Sequence, residues 1–300
     1  MTRCVEQAVS ASKKSLAIGD KLLEVEFPPL PLEVLEDSAS SARDIADANT
    51  RWAVEYAKSF TEILGGQVTI LYPDDPELRD AIRYVYDGQE GSDEPFPGVK
   101  MATHRTDSIR NAGSIDQVLM SVFGATFAGT VEAIPNTKMY VAVVSSTQEL
   151  PQLEKLHDLD PSIPMVLFNL RLDILRGDLG LPLFPGRDLQ FRFLSKVRPV
   201  YQVRSRSFAT SLRRPPYIVN YSGLLFRCYP EPFQAILNIG DGKNKLVQTF
   251  EEKPTNMGFR NALTDALRIP GVPQAELNSP GNLVWWEKEV AKEQSSNWRL

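Results

Sequence analysis

Strand-like and helix-like segments alternate through the first 180 residues, and this alternation constrains the fold more than any other feature of the sequence. Residues 21–27 have the two-residue period of a strand, and residues 38–64 carry apolar side chains at helical spacing. Residues 139–145 and 164–170 are nearly continuous apolar runs, typical of strands buried on both faces of a parallel sheet. The pattern predicts an α/β fold with a three-layer, Rossmann-like, mostly parallel sheet.

The pattern changes after a helical stretch at 189–197. Strand-like segments then follow one another, with turn residues such as Asp241-Gly242 between them. These segments are 200–206, 217–221, 224–229, 233–239 and 246–251. No linker separates them from the first part, so we predict one α/β domain over residues 1–269. Its parallel part extends to about residue 180 and its antiparallel extension covers 200–251. Residues 270–300 are a predicted C-terminal tail and a candidate docking segment.

Residues 217–237 are the densest strand-forming stretch of the chain. Proline cannot donate to a strand ladder, so the Pro-Glu-Pro sequence at 230–232 predicts a hairpin turn. Alternation places Arg227 on one face, where we predict a buried or half-buried ion pair. The opposite face is apolar and is predicted to be buried; it consists of Leu224, Phe226 and Cys228.

Charge is segregated along the chain. The net charge is −5, yet residues 187–227 hold nine basic residues and one acid, which leaves 24 basic and 37 acidic residues elsewhere. A positive segment of this kind favours binding to an acidic protein surface, a phosphate or an anionic lipid. The alternative is that its arginines pair with the chain's own carboxylates.

Candidate partner-binding residues come from this segment and from the tail, where paired tryptophans either pack on the domain or anchor a partner. They are Arg198, Arg204, Arg206, Arg213, Arg214, Trp285 and Trp286. Nucleic acid is not expected as a partner, because the pI of about 5.3 is acidic and no recognition module is present. No apolar run approaches the roughly 18 residues that a membrane span requires, so we expect any membrane association to be peripheral.

The sequence carries neither a Walker motif nor Gly-x-Gly-x-x-Gly, and the glycines at 240–242 are expected to form a hairpin turn. His104 and His157 have no Cys or His at metal-binding spacing, so we expect surface histidines, no metal and no cofactor. Cys4 and Cys228 are far apart in the sequence, and no disulfide framework is expected.

A ligand rim is predicted where parallel strands end. Asp74 follows the strand at 67–72 and Asn169 lies near the end of the apolar run at 164–170, which makes both candidate rim residues. The alternative for the aspartates is a capping role, with Asp75 as the N-cap of the following helix and Pro76 in its first turn.

Five short motifs carry a family resemblance: Gln7-Ala8, Leu-Leu-Glu-Val-Glu-Phe-Pro-Pro at 22–29, Tyr72-Pro73-Asp74, Leu167-Phe168-Asn169, and Gly-Leu-Leu-Phe-Arg-Cys-Tyr-Pro at 223–230 followed by Phe233. Their order and spacing over residues 4–268 resemble a family of uncharacterised domains of plants, algae and cyanobacteria. Its better-known members are chloroplast factors of the "low photosystem II accumulation 3" type, and a related domain follows a chloroplast adenylate kinase. Residues 98–136 and the tail depart from that pattern.

The resemblance implies a non-catalytic factor for photosystem assembly or accumulation. Such a factor binds photosystem subunits or other thylakoid proteins from the chloroplast stroma or the stromal face of the thylakoid membrane. The alternative hypothesis is an α/β enzyme, or a protein that binds a nucleotide or phosphorylated small molecule at the strand-end rim.

Overall fold

The computed structural model describes residues 2–31, 34–35, 40–86, 96–104, 131–172, 186–212 and 217–277. The chain forms two compact units. Unit 1 consists mainly of residues 29–170, and unit 2 of residues 2–28 and the chain from residue 186 onward. Whether both belong to one domain over 1–269 stays a prediction. In the described ranges no helix combines the length and apolar composition that crossing a membrane requires.

Unit 1 is a parallel sheet with helices. Its strands are β2 (Gln67–Tyr72), β3 (Val99–Thr103), β4 (Thr137–Ala142) and β5 (Met165–Phe168), and its main helices are α2 (Ala42–Leu64), α3 (Asp75–Tyr86) and α4 (Leu150–Leu159). The strand order is β3-β2-β4-β5, and every neighbouring pair is parallel. All four residues of β5 are buried, as the continuous apolar run predicts.

Helix α2 has defined signals at both ends. Ser41 and Asp44 form a capping box, in which the Ser41 Oγ accepts from the Asp44 N–H and the Asp44 carboxylate accepts from the Ser41 N–H. Gly65 ends the helix with φ 60°, a left-handed conformation that favours glycine. Between them, Tyr56 packs against Phe168 with ring centres 5.5 Å apart. This contact holds α2 on the sheet of unit 1.

Unit 2 is a mostly antiparallel sheet. Its strands are β1 (Leu22–Glu26), β6 (Arg198–Ser211), β7 (Ile218–Cys228), β8 (Phe233–Asn238) and β9 (Asn244–Phe250), and its helices are α1 (Thr2–Ala17), α5 (Arg187–Arg192), α6 (Asn256–Ala266) and α7 (Gln274–Leu277). The order is β1-β6-β7-β8-β9; β1 and β6 are parallel and the other pairs are antiparallel. Parallel strands in the first part and antiparallel strands in the C-terminal half confirm the predicted α/β fold class.

The predicted hairpin is present as β7 and β8, joined by residues 229–232. The prediction of two separate strands at 217–221 and 224–229 is wrong, because β7 continues through Gly223. A Cβ atom at Gly223 would lie 2.5 Å from Leu263 Cδ1 and 2.7 Å from the Ile236 carbonyl oxygen. Glycine is therefore required there by close packing under α6, and it does not interrupt the strand.

The predicted buried face of β7 is also wrong. The buried residues are Tyr221, Leu225 and Arg227, whereas Leu224, Phe226 and Cys228 are only half-buried. The reason is helix α6, which packs on the odd-numbered face through Phe259 and Leu263. The even-numbered face contacts α1 near its end, where Cys228 Sγ lies 3.9 Å from the Gln7 carbonyl oxygen. A period-two pattern gives the two faces but not which of them a helix covers.

Candidate functional site

Asp74 caps a helix. It follows β2, and its Oδ1 accepts a 2.9 Å hydrogen bond from the Glu77 N–H, while its carbonyl oxygen accepts from the Leu78 N–H at 3.0 Å. These are the contacts of an N-cap residue. The prediction of Asp75 as the N-cap is wrong by one position, since Asp75 is already the first residue of α3.

Asn169 ties a strand end to a helix. It adopts φ 55°, a left-handed conformation that asparagine tolerates, directly after β5. Its Nδ2 donates a 2.9 Å hydrogen bond to Asn49 Oδ1 on α2. Because β4 separates β2 from β5, Asp74 and Asn169 are about two strand spacings, roughly 10 Å, apart in the sheet direction. The two predicted rim residues therefore lie on one edge without adjoining each other.

The rim contains a histidine that we predicted to be at the surface. His104 follows β3 and is buried, with 2% of its surface exposed, and its Nδ1 lies 3.0 Å from the Tyr72 carbonyl oxygen. The neighbouring Tyr72 donates from its hydroxyl to Thr50 Oγ1 at 3.2 Å, and burial raises the pKa of this tyrosine. No local sequence signal marks His104 as buried, because its position depends on the pairing of β3 with β2.

The first turn of α3 is acidic. Asp75 and Glu77 lie in this turn, next to the capping Asp74. Desolvation, followed by the Asp74 charge, raises the pKa of Glu77, and Arg43 opposes that rise. A helix N-terminus binds phosphate only when its positive end is available, and here carboxylates already occupy it. This part of the rim is therefore a poor phosphate site. Within the described ranges, no three His, Cys, Asp or Glu side chains come together as a metal site.

Two of the predicted partner-binding arginines pair inside unit 2. Arg204 is buried, and its Nε donates to Glu26 Oε1 at 2.7 Å while its Nη2 donates to Oε2. Gln202 adds a third donor to the same carboxylate at 3.2 Å. Arg198 is ion-paired with Asp20 and keeps 41% of its side chain exposed. For Arg204 the structure shows the alternative, an internal ion pair with Glu26.

The structure describes one of the five remaining predicted residues. Arg206 lies half-buried on β6. The others lie outside the described residues; they are Arg213, Arg214, Trp285 and Trp286.

Arg227 is buried, as predicted, but rings surround it. Its guanidinium carbon lies 4.4 Å from the centre of the Phe233 ring and 5.8 Å from that of Tyr229. The predicted ion pair is not among its contacts with the described residues, which are these two cation–π contacts. Desolvation and then the charge of Arg198 lower the pKa of Arg227, although Tyr229 and Glu251 oppose the decrease.

One end of the unit 2 sheet combines apolar and basic side chains. We call it the distal end; here β6 ends, β7 begins, β8 ends and β9 begins. The hairpin turn at 240–242, with positive φ at all three residues, joins β8 to β9 as predicted. The exposed large apolar residues of the distal end, each more than half accessible, are Tyr217, Ile218, Ile239 and Leu246. Its exposed lysines are Lys243 and Lys245.

Sequence reasoning missed the distal end because its members come from three separate strands and turns. Exposed large apolar groups are a feature of many protein-binding surfaces. Arg213 and Arg214 lie in the sequence between Leu212 and Tyr217, whose backbone hydrogen bond, Leu212 N to Tyr217 O at 2.6 Å, closes the connection from β6 to β7.

The fold defines a mixed α/β protein whose parallel strands are followed by a long antiparallel meander. The model of the family described as "Domain of unknown function (DUF1995)" matches residues 1–259, and the chain belongs to this family. The matched region includes all the strands named above. No curated protein matches the chain at a significant level of sequence similarity.

Proposed function

We propose that this protein is a non-catalytic factor that supports photosystem assembly or accumulation by binding photosystem subunits at the stromal surface of the thylakoid. The observation that supports binding is the distal end of unit 2, where four large apolar side chains are more than half exposed. Two exposed lysines, Lys243 and Lys245, complete a surface suited to an acidic and apolar partner. The type of partner follows from the resemblance of residues 223–230 and the other motifs to the "low photosystem II accumulation 3" factors.

The strand-end rim of unit 1 gives weaker support to the alternative hypothesis, a protein that binds a small molecule there. The side chains of Asp74 and Asn169 already form hydrogen bonds, Asp74 with the first turn of α3 and Asn169 with Asn49. The adjoining N-terminus of α3 is acidic. A phosphorylated ligand at this edge would meet carboxylates, which repel it.

Affinity purification from detergent-solubilised thylakoids tests the proposal. The bait is the full chain carrying Tyr217→Ser and Ile218→Ser, compared with the unchanged chain. Interface positions of this kind contribute about 1–2 kcal/mol each, so we expect recovery of photosystem subunits to fall at least about fivefold. A matched control is Leu159→Ser in unit 1, a leucine with 55% of its surface exposed, which we expect to leave recovery unchanged.

Charge at the distal end gives a second measurement. Lys243→Ala with Lys245→Ala is expected to weaken recovery at low salt and to flatten its dependence on ionic strength, because long-range attraction is screened by salt. Recovery of the unchanged bait only as a free protein would contradict the proposal. Equal recovery with the Tyr217 and Ile218 variants would exclude the distal end as its binding surface.

A further inference from the structure

At the other end of β7 lies a buried cation that has no bonded anion among the described residues. Arg227 has only 8% of its surface exposed. Its Nε is shielded from solvent and has no hydrogen-bond partner among the described residues. Such a group is costly in a folded protein, because a buried polar donor without a partner loses the hydrogen bonds that it made to water.

The surroundings of Arg227 hold its guanidinium in place without neutralising it. Phe233 and Tyr229 contact it through their ring faces, with centres 4.4 Å and 5.8 Å from the guanidinium carbon. A stacked guanidinium keeps the N–H groups at its edge available, and those groups match the geometry of carboxylates and phosphates. The packing is thus compatible with an oxyanion bound edge-on.

A second cation lies beside the first. The guanidinium carbon of Arg198 is 5.7 Å from the centre of the same Tyr229 ring. The carboxylate paired with Arg198 is Asp20, and Glu251, which is exposed, acts on Arg227 only at longer range. Counting only the part of the chain that the structure describes, two guanidinium groups around Tyr229 therefore share one directly bonded carboxylate. The local charge is positive and favours a bound anion.

We propose that Arg227, with Arg198 beside it, binds a small oxyanion, either a phosphate or a carboxylate group. The ring faces of Tyr229 and Phe233 position the Arg227 fork, and Arg198 contributes a second positive charge. The inference is independent of the proposed thylakoid function, since it concerns a different end of the sheet and a small ligand. It assigns a phosphorylated or carboxylated ligand to unit 2 and not to the strand-end rim of unit 1.

Isothermal titration calorimetry of the full chain tests this site. Inorganic phosphate and citrate are titrated separately, with chloride at equal ionic strength as the reference. We expect phosphate, citrate or both to bind where chloride does not; binding of only one identifies the oxyanion that fits. Arg227→Met keeps the length and apolar contacts of the side chain, and it is expected to raise the Kd about tenfold to a hundredfold, the worth of a charge-assisted hydrogen bond.

The control is Arg83→Met in unit 1, where the arginine side chain is 81% exposed, and we expect its affinity to equal that of the unchanged chain. Arg198→Met alters a half-exposed side chain, so folding is retained, and it is expected to raise the Kd several-fold through the lost charge. If Arg227→Met does not fold, Arg198→Met decides the outcome. Absence of binding by both anions, or equal affinity in the folded arginine variants and the unchanged chain, would overturn the proposal.

Discussion

At the scale of single residues, arginines of one segment have opposite roles. Arg204 is neutralised by Glu26 through two hydrogen bonds, while Arg227 lies against rings and has no carboxylate bonded to it among the described residues. Both are buried, and both belong to the basic segment at 187–227. What distinguishes them is the neighbouring strand: β1 presents Glu26 to β6, and β8 presents Phe233 to β7.

The buried Glu26–Arg204 pair has a testable energetic consequence. Glu26→Ala leaves the Arg204 charge uncompensated, so we expect the free energy of unfolding to fall by about 3–5 kcal/mol. Replacing both residues with methionine is expected to recover most of that loss, because no buried charge remains. Urea unfolding of these two variants and of the unchanged chain measures the difference.

The control for this pair is Glu55→Ala, which breaks the exposed Lys58–Glu55 pair of 2.9 Å. An exposed pair is worth about 0–1 kcal/mol, so little change is expected. A Glu26→Ala variant as stable as Glu55→Ala would contradict the expectation that breaking a buried ion pair costs more stability than breaking an exposed one.

Gly223 provides a second residue-scale prediction. Gly223→Ala places a methyl group 2.7 Å from the Ile236 carbonyl oxygen and 2.5 Å from Leu263 Cδ1. Overpacking of this kind costs about 1–3 kcal/mol, which thermal or urea unfolding will detect. Gly186→Ala is the matched control, because nothing lies within 4 Å of the added methyl group and φ is −54°. Equal stability of the two variants would show that α6 moves away at little cost.

At the scale of elements, α2 is defined by its ends. The Ser41 and Asp44 capping box begins it, and hydrogen bonds from the Ser41 backbone N–H and then from the Ser41 hydroxyl lower the pKa of the Asp44 carboxyl. The predicted start at residue 38 was four residues early, since apolar spacing locates a helix more accurately than it locates its first turn.

The capping box makes stability depend on pH. Because the pKa of Asp44 is lower in the folded state, its contribution is complete above the ordinary aspartate pKa of about 3.9 and is lost as the pH falls through the folded value. Asp44→Asn is therefore expected to lower the melting temperature at pH 7 and to match the unchanged chain at the lowest pH at which both fold. Ser41→Ala removes the partner hydroxyl and is expected to cost about 1 kcal/mol at neutral pH.

Calorimetric melting between pH 2.5 and pH 7 provides the measurement. Asp241→Asn is a suitable control, because this exposed residue lies in the turn at 240–242, where asparagine also tolerates the φ of 51°. A difference between Asp44→Asn and the unchanged chain that stays constant across this range would contradict the role of the carboxylate charge.

At the scale of the whole molecule, the arginines of the basic segment differ in their exposure to solvent. Part of the basic segment is internal, through Arg204 and Arg227, and part of it faces solvent, through Arg198. The exposed apolar residues of the distal end lie partly within the basic segment, at Tyr217 and Ile218, and partly after it, at Ile239 and Leu246. Binding at the distal end and oxyanion binding at Arg227 are thus separate proposals with separate tests.

Local patterns were sufficient to predict several of the elements. Apolar runs predicted β4 and β5, apolar spacing predicted α2, and the Pro-Glu-Pro turn predicted the β7–β8 hairpin, because these signals depend on residues close together in the chain. The choice between parallel and antiparallel pairing followed from whether helices separate the strands. The α/β class was accordingly readable from the order of the segments.

Which residues are buried, and which side chains pair with each other, could be determined only from the folded structure. Which face of β7 is covered depends on α6, more than 30 residues later, and the partner of Arg204 lies 178 residues away on β1. His104 is buried only because β3 pairs with β2. Long-range contacts of this kind leave no periodic trace in the sequence. The arginine-rich segment therefore predicted a positive field, and tertiary packing decided that Arg204 is neutralised, that Arg198 stays partly exposed and that Arg227 lies against the rings of Phe233 and Tyr229.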